Sequence, residues 1–372
     1  MTPSANAVTP CREASLSSVI QRIATGPELS KDLSQEETCH AMRQILEARA
    51  DPVQAGVFLI ALRMKRETDD ENLGVLDALL EKTVTVTAPV DEVLDIADPY
   101  DGYARSLPAS PFLPALMAAC GVPAITHGVE SMGPKYGVTH RQVLRAAGVP
   151  VDLTPQQAAG RLADPAVGWA YLDQSAFCPA LYQLSGLRRL IVKRPVLTTV
   201  EALLGPVRGR RHTHLMTGYV HKPYARVYAM LARHSGFDSA LLVRGIEGGV
   251  IPSLRQAGKL YFYHDRAEEQ SLDLDPETIG IDQPLRAAPL PPELTPADGV
   301  DTARLDTAAA AKAAAQAGTA ALGGASGPVR DSLVYAGAIC LWHLGRHDSL
   351  AAAAQQVRRV LDSGAARTRL PS

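Results

Sequence analysis

The loop that follows residue 125 combines groups able to bind an anion with one that would repel it. Its sequence is ITHGVESMGPK, in which an apolar run ends in a loop that leads to an amphipathic stretch. A strand that delivers such a loop to a helix is a common site for phosphate, because backbone N–H groups at a helix N-terminus attract negative charge. Glu130 opposes this use, since like charges repel at short range. The candidate ligand-binding residues here are His127, Gly128, Ser131 and Lys135.

A second candidate site follows the preceding apolar run, where residues 97–106 read ADPYDGYARS. This is again a position at which α/β folds bind ligands, beyond the carboxyl end of a strand. The Tyr100 ring could stack on a base, and Arg105 could bind a phosphate or a carboxylate. Asp-Pro and Asp-Gly are also turn formers, so a plain turn is the alternative for the acids. The candidate residues of this loop are Tyr100, Asp101, Gly102 and Arg105.

Residues 188–226 are strongly basic, with nine Lys and Arg side chains and a single acid, Glu201. In a chain whose formal net charge is −2, this is a local excess. One interpretation is a surface that contacts the phosphates of a single-stranded nucleic acid. The other is a set of solvated helix ends and loops in which some arginines form ion pairs. The nucleic-acid interpretation rests on Arg188, Arg189, Lys193, Arg194, Arg208, Arg210 and Arg211.

The composition is that of a folded protein of ordinary charge. The chain has 372 residues, 46% of them hydrophobic and 20% charged, which is enough for two domains. The five cysteines form no C-x-x-C pair, which favours a reducing compartment over a disulfide framework or a zinc site. The longest apolar run, residues 333–342, is too short to cross a bilayer. We therefore expect a cytoplasmic protein.

The hydrophobic pattern divides the chain into a helical part and a larger α/β part. Residues 1–14 predict a flexible tail. Up to residue 88, apolar residues recur at helical spacing, and Ser34 with Glu37 forms a capping box that marks a helix start. From residue 89, short apolar runs alternate with helical segments, which is typical of a mostly parallel sheet covered on both faces. The pattern predicts a helical domain over 15–88 and an α/β domain over 89–172 and 196–372.

Four stretches resemble the glycosyltransferase 3 family, and within it the anthranilate phosphoribosyltransferases. They are residues 56–74, 126–149, 177–190 and 326–366, and they occur in the family's order. The resemblance implies a nucleoside phosphorylase and phosphoribosyltransferase-like fold, in which a segment near 173–195 returns to the helical domain. It also implies a homodimer joined through the N-terminal helices. Arg188 or Arg189 would supply the family's arginine for the anthranilate carboxylate.

The motifs that carry the chemistry of this family differ here. The family binds phosphoribosyl pyrophosphate with a Gly-Thr-Gly-Gly-Asp loop, whose place is taken by residues 97–106 with Gly102 as the only glycine. Its Lys-His-Gly-Asn-Arg-Ser motif becomes THGVES at residues 126–131. Its Asp-Glu pair for magnesium becomes Val250 and Ile251. Glu247 is left as a single candidate metal ligand, and one acid is a poor magnesium site.

Two hypotheses follow for the activity. The resemblance implies a transferase of the glycosyl or phosphoribosyl type, and the altered motifs predict little activity on anthranilate. The sequence also looks like a divergent branch of the family that is associated with nucleic acid, which implies a non-catalytic protein that binds single-stranded DNA or RNA. The expected partners are a phosphate-containing small ligand or a nucleic acid, with no membrane. Magnesium is expected only if phosphoribosyl pyrophosphate binds.

Overall fold

Helices form the N-terminal part of the chain. The computed structural model describes residues 15–26, 28–295 and 305–371, so the predicted tail at 1–14, with Cys11, lies outside the described residues. The predicted capping box is confirmed, because Ser34 Oγ accepts from Glu37 N and the Glu37 carboxylate accepts from Ser34 N. The first helices pack together and are α1 (Leu16–Ile23), α2 (Gln35–Leu46), α3 (Pro52–Lys65) and α4 (Asp69–Lys82).

A mostly parallel sheet forms the centre of the α/β part. The strands of the described residues are β1 (Val86–Thr87), β2 (Glu92–Ala97), β3 (Ala124–Gly128), β4 (Trp169–Asp173), β5 (Val207–Arg208), β6 (His212–Gly218), β7 (Ser239–Val243), β8 (Gly258–Tyr263) and β9 (Gln270–Leu274). Within these residues, seven strands form one sheet in the order β4-β3-β2-β6-β7-β8-β9. The first five in this order are parallel, and β8 and β9 add an antiparallel edge. The prediction of an α/β fold with a mostly parallel sheet is confirmed.

Helices cover both faces of this sheet. They are α5 (Leu113–Ala119), α6 (His140–Ala146), α7 (Pro155–Ala163), α8 (Gln174–Phe177), α9 (Pro179–Tyr182), α10 (Ser185–Ile191), α11 (Leu197–Val200), α12 (Tyr224–His234), α13 (Thr307–Leu322), α14 (Pro328–His343) and α15 (Leu350–Asp362). Leu94 and Ile96 of β2 pack in one apolar cluster with α13, α14 and α15. Val93 and Ala97 alternate with them and pack in a second cluster with α1 to α4. No helix of the described residues has the length and apolar character needed to span a membrane.

The segment after β4 leaves the sheet and meets the N-terminal helices. α9 packs on α4, and α10 packs on α3. A Cβ at Gly56 of α3 would lie 3.6 Å from Leu187 Cδ1 of α10, which is ordinary contact. The second apolar cluster runs continuously from α1 to α4 into one face of the sheet. The domain boundaries at 88, 172 and 196 therefore stay a prediction.

The strand order creates a crevice at the carboxyl ends of two central strands of the sheet. From β2 the chain continues to β3 and β4 on one side, and it then returns to β6 on the other side of β2. The loops after β2 and β6 therefore diverge, and open α/β sheets bind ligands at such a point. β2 ends at Ala97 and β6 ends at Gly218, so Asp98 and Tyr219 begin these two loops.

Candidate functional site

A cavity of about 180 Å³, the switch-point crevice, lies between these two loops and α3. On the α3 side, Arg63 donates to the Tyr224 hydroxyl at 2.9 Å. The opposite side is formed by residues of the segment 194–202. Such a site suits a planar ring that carries polar groups. The lining includes seven side chains with an aromatic ring or a hydroxyl, four acids and two arginines: Tyr100, Thr198, Thr199, Thr217, Tyr219, Tyr224 and Tyr228; Asp98, Asp101, Glu201 and Glu247; Arg63 and Arg194.

The buried Asp98 carboxylate joins the loops that would surround a phosphate. Its Oδ2 accepts from the Tyr103 hydroxyl (2.7 Å) and the Ser110 hydroxyl (2.5 Å), and it lies 2.7 Å from His140 Nε2. Its Oδ1 accepts from the backbone N–H of Val250 at 2.9 Å. Burial alone would raise the pKa of Asp98, but the His140 charge and these hydrogen bonds outweigh burial and hold the pKa below its usual range. The Asp98 carboxylate thus occupies the hydrogen-bond donors that a bound oxyanion would need.

The buried His140 ring lies between this carboxylate and Thr126. Thr126 Oγ1 donates to the Ile96 carbonyl at 2.8 Å and lies 2.9 Å from His140 Nδ1. His140 Nε2 lies 2.7 Å from Asp98 Oδ2 and 2.9 Å from Ser110 Oγ. The ring therefore connects the Asp98 carboxylate to the end of β3. It lies beside Thr126, the position at which the resemblance expects a lysine.

Tyr100, Val129 and Met132 form a small buried cluster between the two candidate loops. The Tyr100 hydroxyl lies 2.5 Å from His127 Nδ1 and is directed into the protein. Burial raises the pKa of Tyr100 well above its usual value. The two loops contact each other through apolar side chains, whereas a phosphate site would present N–H groups there.

The candidate residue His127 is enclosed by side chains of the protein. Its Nε2 lies 2.9 Å from Asp95 Oδ1, outside hydrogen-bond geometry, and both side chains are buried. Its Nδ1 faces Tyr100, and its ring packs edge-on against Phe177. His127 does not line the crevice. Its geometry indicates a role in holding Tyr100 and the end of β3.

The fold brings the candidates Asp101 and Lys135 together. Asp101 Oδ2 accepts from Arg194 Nη2 at 2.5 Å, and its Oδ1 lies 3.5 Å from Lys135 Nζ. The Lys135 ammonium also donates to the Glu247 carbonyl at 3.3 Å. Both cations are therefore engaged by acids or carbonyls of the chain at the mouth of the crevice.

The candidates Gly102, Gly128 and Ser131 have different surroundings. Gly102 has a φ of 71°, and a Cβ there would lie 2.5 Å from the Val138 carbonyl oxygen, so the turn requires glycine. Gly128 lies beside the Tyr171 side chain, and Ser131 is exposed. None of these three is among the described residues that line the crevice.

Glu247 is held by the backbone, and its surroundings do not fit a magnesium ion. Its carboxylate accepts from two N–H groups and a hydroxyl of the segment 104–106, at 2.8 to 3.0 Å. Val250 and Ile251, where the resemblance expects the metal ligands, are buried in the apolar core. Among the residues that the structure describes, no group of three or more His, Cys, Asp or Glu is placed to hold a metal ion.

The acid Glu130 is matched by two arginines of α6. Arg141 Nε donates to its carboxylate at 3.0 Å, and Arg145 also pairs with it. Arg141 additionally contacts Asp173 at 3.1 Å. The charge that opposes phosphate binding is thus part of an ion-pair network that joins the loop after β3 to α6.

Two of the arginines proposed to contact nucleic acid, Arg188 and Arg208, are bound by groups of the protein itself. Arg188 is buried and donates to both oxygens of the Glu201 carboxylate, at 2.6 and 2.7 Å. Arg208 donates to the Ser235 carbonyl at 2.9 Å, and its guanidinium carbon lies 4.3 Å from the centre of the Phe237 ring. Burial lowers the pKa of Arg208. Arg188 therefore binds a carboxylate of the chain itself.

The other cations that were predicted to contact nucleic acid lie at opposite ends of the parallel strands. Arg189, Lys193 and Arg194 are exposed, and Arg194 reaches Asp101 beyond the carboxyl end of β2. Arg210 and Arg211 are exposed just before β6, at its amino end. β6 has seven residues, so the two groups are separated by roughly 20 Å along this strand. A nucleic-acid surface stays a prediction, and one short segment cannot touch both groups.

Two residues central to the buried network, Asp98 and His140, carry no motif in the sequence. They are 42 positions apart and meet only when α6 packs beside the end of β2. An acid after a strand and a histidine in the first turn of a helix are the only signals, and both are common in plain turns and helix ends.

Two family models match the chain. Residues 17–83 match the helical bundle domain of the glycosyl transferase family. Residues 106–367 match the α/β domain of the same family. The matches follow the division between the N-terminal helices and the sheet.

The similarity to known proteins extends over most of the chain. An anthranilate phosphoribosyltransferase of Nitrobacter hamburgensis is 30% identical over 268 residues, which are 72% of this chain and 75% of that protein. One of Rhodopseudomonas palustris is 27% identical over 353 residues, 95% of each protein. The structure of the Saccharomyces cerevisiae enzyme in complex with PRPP and Mg has a TM-score of 0.74 at 18% identity, over 95% of each chain. At this identity the structural likeness shows the fold alone.

Proposed function

The chain belongs to the glycosyl transferase family, with a helical bundle domain followed by an α/β domain, and from this membership we propose that it binds a nucleotide-like ligand in the switch-point crevice without transferring a phosphoribosyl group to anthranilate. The observation that supports the absence of phosphoribosyl transfer is the Asp98 carboxylate, which faces four donors from the surrounding loops. A phosphate brought to this position would be repelled by Asp98 and would find these donors occupied.

The side chains at the positions of the family motifs support the absence of phosphoribosyl transfer. The yeast relative was solved with PRPP and Mg. In this chain Tyr100 and Val129 fill the space between the corresponding loops. Val250 and Ile251 offer no oxygen ligand for magnesium.

The lining of the crevice supports a ligand with an aromatic ring. Tyr224, which is half-buried, presents ring surface on which a base can stack, and Tyr219 lines the same crevice from a buried position. Thr198 and Thr199 offer hydroxyls to the polar edge of a sugar. Arg63 Nη1 lies 3.8 Å from the Glu67 carboxylate, and the Arg63 side chain is 45% exposed, which leaves part of the guanidinium open to a ligand phosphate. These are binding groups, and the proposal assigns none of them to bond making or breaking.

Calorimetry with adenosine monophosphate tests binding in the crevice. We expect binding by the full chain and a loss of about tenfold in affinity in Arg63→Gln. The matched control is Arg49→Gln, because Arg49 is an exposed arginine of the helical part that does not line the crevice. No binding, or equal loss in both variants, contradicts a nucleotide-like ligand at this site.

An assay with anthranilate, phosphoribosyl pyrophosphate and magnesium tests the second half of the proposal. We expect no product at ordinary enzyme rates. Turnover on the order of one per second or faster would show that the family reaction is retained.

A single-stranded nucleic acid is the second candidate partner. It is supported by Arg189 and Lys193, which are exposed beside Arg194 near the mouth of the crevice. If these cations contact phosphates, binding weakens with salt at a slope of about −0.7 per contact. Changing Arg189 and Lys193 to Ala should reduce this slope, whereas changing Arg210 and Arg211 should not. Equal binding by all variants would leave no role for this surface.

We also propose a homodimer joined through α3. Val53, Val57 and Met64 recur at helical spacing on one face of α3 and are 73%, 40% and 73% exposed. Leu190 and Val192, at the end of α10 and just after it, are 77% and 65% exposed, and α10 packs on α3. An exposed apolar patch of this kind is typical of a protein interface. The same patch on two copies would form a symmetric interface.

A reducing compartment is supported by the cysteines. Cys39, Cys120, Cys178 and Cys340 are free thiols in the described residues. Burial raises the pKa of Cys39 to about 11 and that of Cys120 to about 12, so these thiols stay protonated at neutral pH. We propose a cytoplasmic location on this ground.

A further inference from the structure

A second and larger cavity of about 580 Å³, the basic cleft, lies beside the switch-point crevice. It is bounded by the turn after β7 and by the segment 285–289. Val220, Glu247 and Gly248 line both cavities and form the wall between them. The charged side chains of the basic cleft are four cations and one acid: Arg105, Arg244, Lys259, Arg286 and Glu247.

Most of this positive charge has no internal counter-ion. Lys259 pairs with Asp273 at 3.2 Å. Within the described part of the chain, the guanidinium groups of Arg105, Arg244 and Arg286 form neither an ion pair nor a hydrogen bond. Three unpaired guanidinium groups around one cavity, in a chain of net charge −2, are the charge pattern of an anion site.

The single acid of the basic cleft is already compensated. The Glu247 carboxylate accepts from the N–H groups of Ala104 and Arg105 and from the Ser106 hydroxyl. Lys135 Nζ lies 3.7 Å from the same carboxylate. These bonds fix the backbone of Arg105 at the wall of the cleft. They also hold Glu247 at a φ of 53°, a strained conformation of the kind found at binding sites.

The backbone that carries the other two arginines is also fixed. The turn after Arg244 packs so closely on β6 that a Cβ at Gly218 would lie 2.1 Å from the Gly248 carbonyl oxygen. On the opposite wall, the Arg286 carbonyl accepts from Leu254 N at 2.9 Å. The three guanidinium groups thus extend from anchored segments, and little backbone ordering is needed to bind an anion.

We propose that the basic cleft binds a small organic phosphate or oligophosphate with at least two negative charges, whatever occupies the switch-point crevice. The planar fork of a guanidinium pairs two N–H groups with two phosphate oxygens. A volume of about 580 Å³ lies within the range of roughly 300–1,000 Å³ that is typical of small-molecule sites. Residues 285–289 form one wall of the cleft, and its volume matches a small ligand.

Calorimetry of the full chain with inorganic tripolyphosphate, in the presence of a chelator, tests this site. We expect micromolar binding by the parent protein, weakened by about tenfold or more in the double variant Arg244→Gln, Arg286→Gln. The matched control is Arg210→Gln, Arg211→Gln, which removes the same charge from the opposite edge of the sheet and should leave the affinity within about twofold. Arg105→Gln gives an independent measurement if the double variant is unstable.

The possible results separate this proposal from the others. No binding by the parent at about 1 mM tripolyphosphate, or equal weakening in the control, would overturn it. Citrate bound as tightly as tripolyphosphate would overturn the phosphate class. Single-stranded DNA that binds through Arg244 and Arg286 when tripolyphosphate does not would assign the cleft to a polymer. Arg63→Gln should weaken the binding of adenosine monophosphate and leave the binding of tripolyphosphate unchanged. The proposal for the crevice can therefore fail or hold independently of the proposal for the cleft.

Discussion

At the scale of single residues, the site is shaped by charges that are paired inside the protein. Asp98 with His140 forms one buried pair, and Glu201 with Arg188 forms another. Taking charges out of water costs free energy, so a buried pair is favourable only with good geometry and further hydrogen bonds. Asp98 has such bonds from two hydroxyls and a backbone N–H. We infer that this carboxylate holds the surrounding donors in place, as a bound anion would.

Replacing Asp98 with Asn removes the charge while keeping the shape of the side chain. The buried His140 ring then loses the carboxylate that faces it, and we expect the free energy of unfolding to fall by about 3–5 kcal/mol. Urea denaturation measures the change. Asp273→Asn is the matched control, because that side chain is 85% exposed and its pair with Lys259 contributes little. A loss below about 1 kcal/mol for Asp98→Asn would argue against a buried ion pair.

At the scale of secondary-structure elements, α2 and α4 approach each other closely at Gly74. A Cβ there would lie 2.3 Å from the Gln35 carbonyl oxygen and 2.7 Å from Thr38 Cβ. We expect Gly74→Ala to lower the free energy of unfolding by about 1–3 kcal/mol, because the α2 backbone cannot move aside.

Gly160 of α7 provides the matched comparison for this packing argument. Nothing lies within 4 Å of a Cβ built there. Gly160→Ala should therefore raise the free energy of unfolding by about 0.5–1 kcal/mol, because Ala has the higher helix propensity. Thermal melting of both variants and the parent measures these changes in stability. A stabilised Gly74→Ala variant would be inconsistent with the close approach of α2 and α4.

The elements could be predicted from the sequence because their signals are local. The capping pair Ser34 and Glu37 lies within one turn, and the apolar runs of the strands are continuous. The buried network could not be predicted, since Asp98 meets Ser110, His140 and Val250 across 12, 42 and 152 positions. The pattern around Arg188 and Arg208 is likewise that of exposed arginines, and only tertiary packing encloses them.

At the scale of the whole molecule, a histidine cluster joins α14 to the sheet. His343 Nε2 lies 2.8 Å from Ser239 Oγ, and its ring stacks on His264 with ring centres 4.3 Å apart. Burial, and then the charges of His264 and His214, hold the pKa of His343 well below its usual value. An unfolded histidine has a pKa of about 6.5. Below that pH the unfolded chain therefore takes up a proton that the folded chain excludes.

Stability should thus fall as the pH drops below about 6.5, by up to about 1.4 kcal/mol per pH unit for His343. Above that pH this group should have no effect, because it is neutral in both states. Urea denaturation between about pH 5 and 7.5 measures the slope, which His343→Gln should reduce. His221→Gln, at an exposed histidine, is the control. Equal slopes for His343→Gln and the parent would show that His343 binds protons alike in both states.

The proposed dimer predicts how two outward substitutions on α3 act. Val57→Glu with Met64→Glu places two negative charges in the patch, and both side chains are already exposed, so the fold should be kept. Burying unpaired charge between two copies is costly, and we expect the dimer to weaken by on the order of a hundredfold. Light scattering at micromolar concentration measures the molar mass of each variant in solution. Leu285→Glu, at an exposed leucine of the α/β part, should leave the dimer intact. A monomeric parent would contradict the dimer, and dissociation by Leu285→Glu alone would move the interface away from α3.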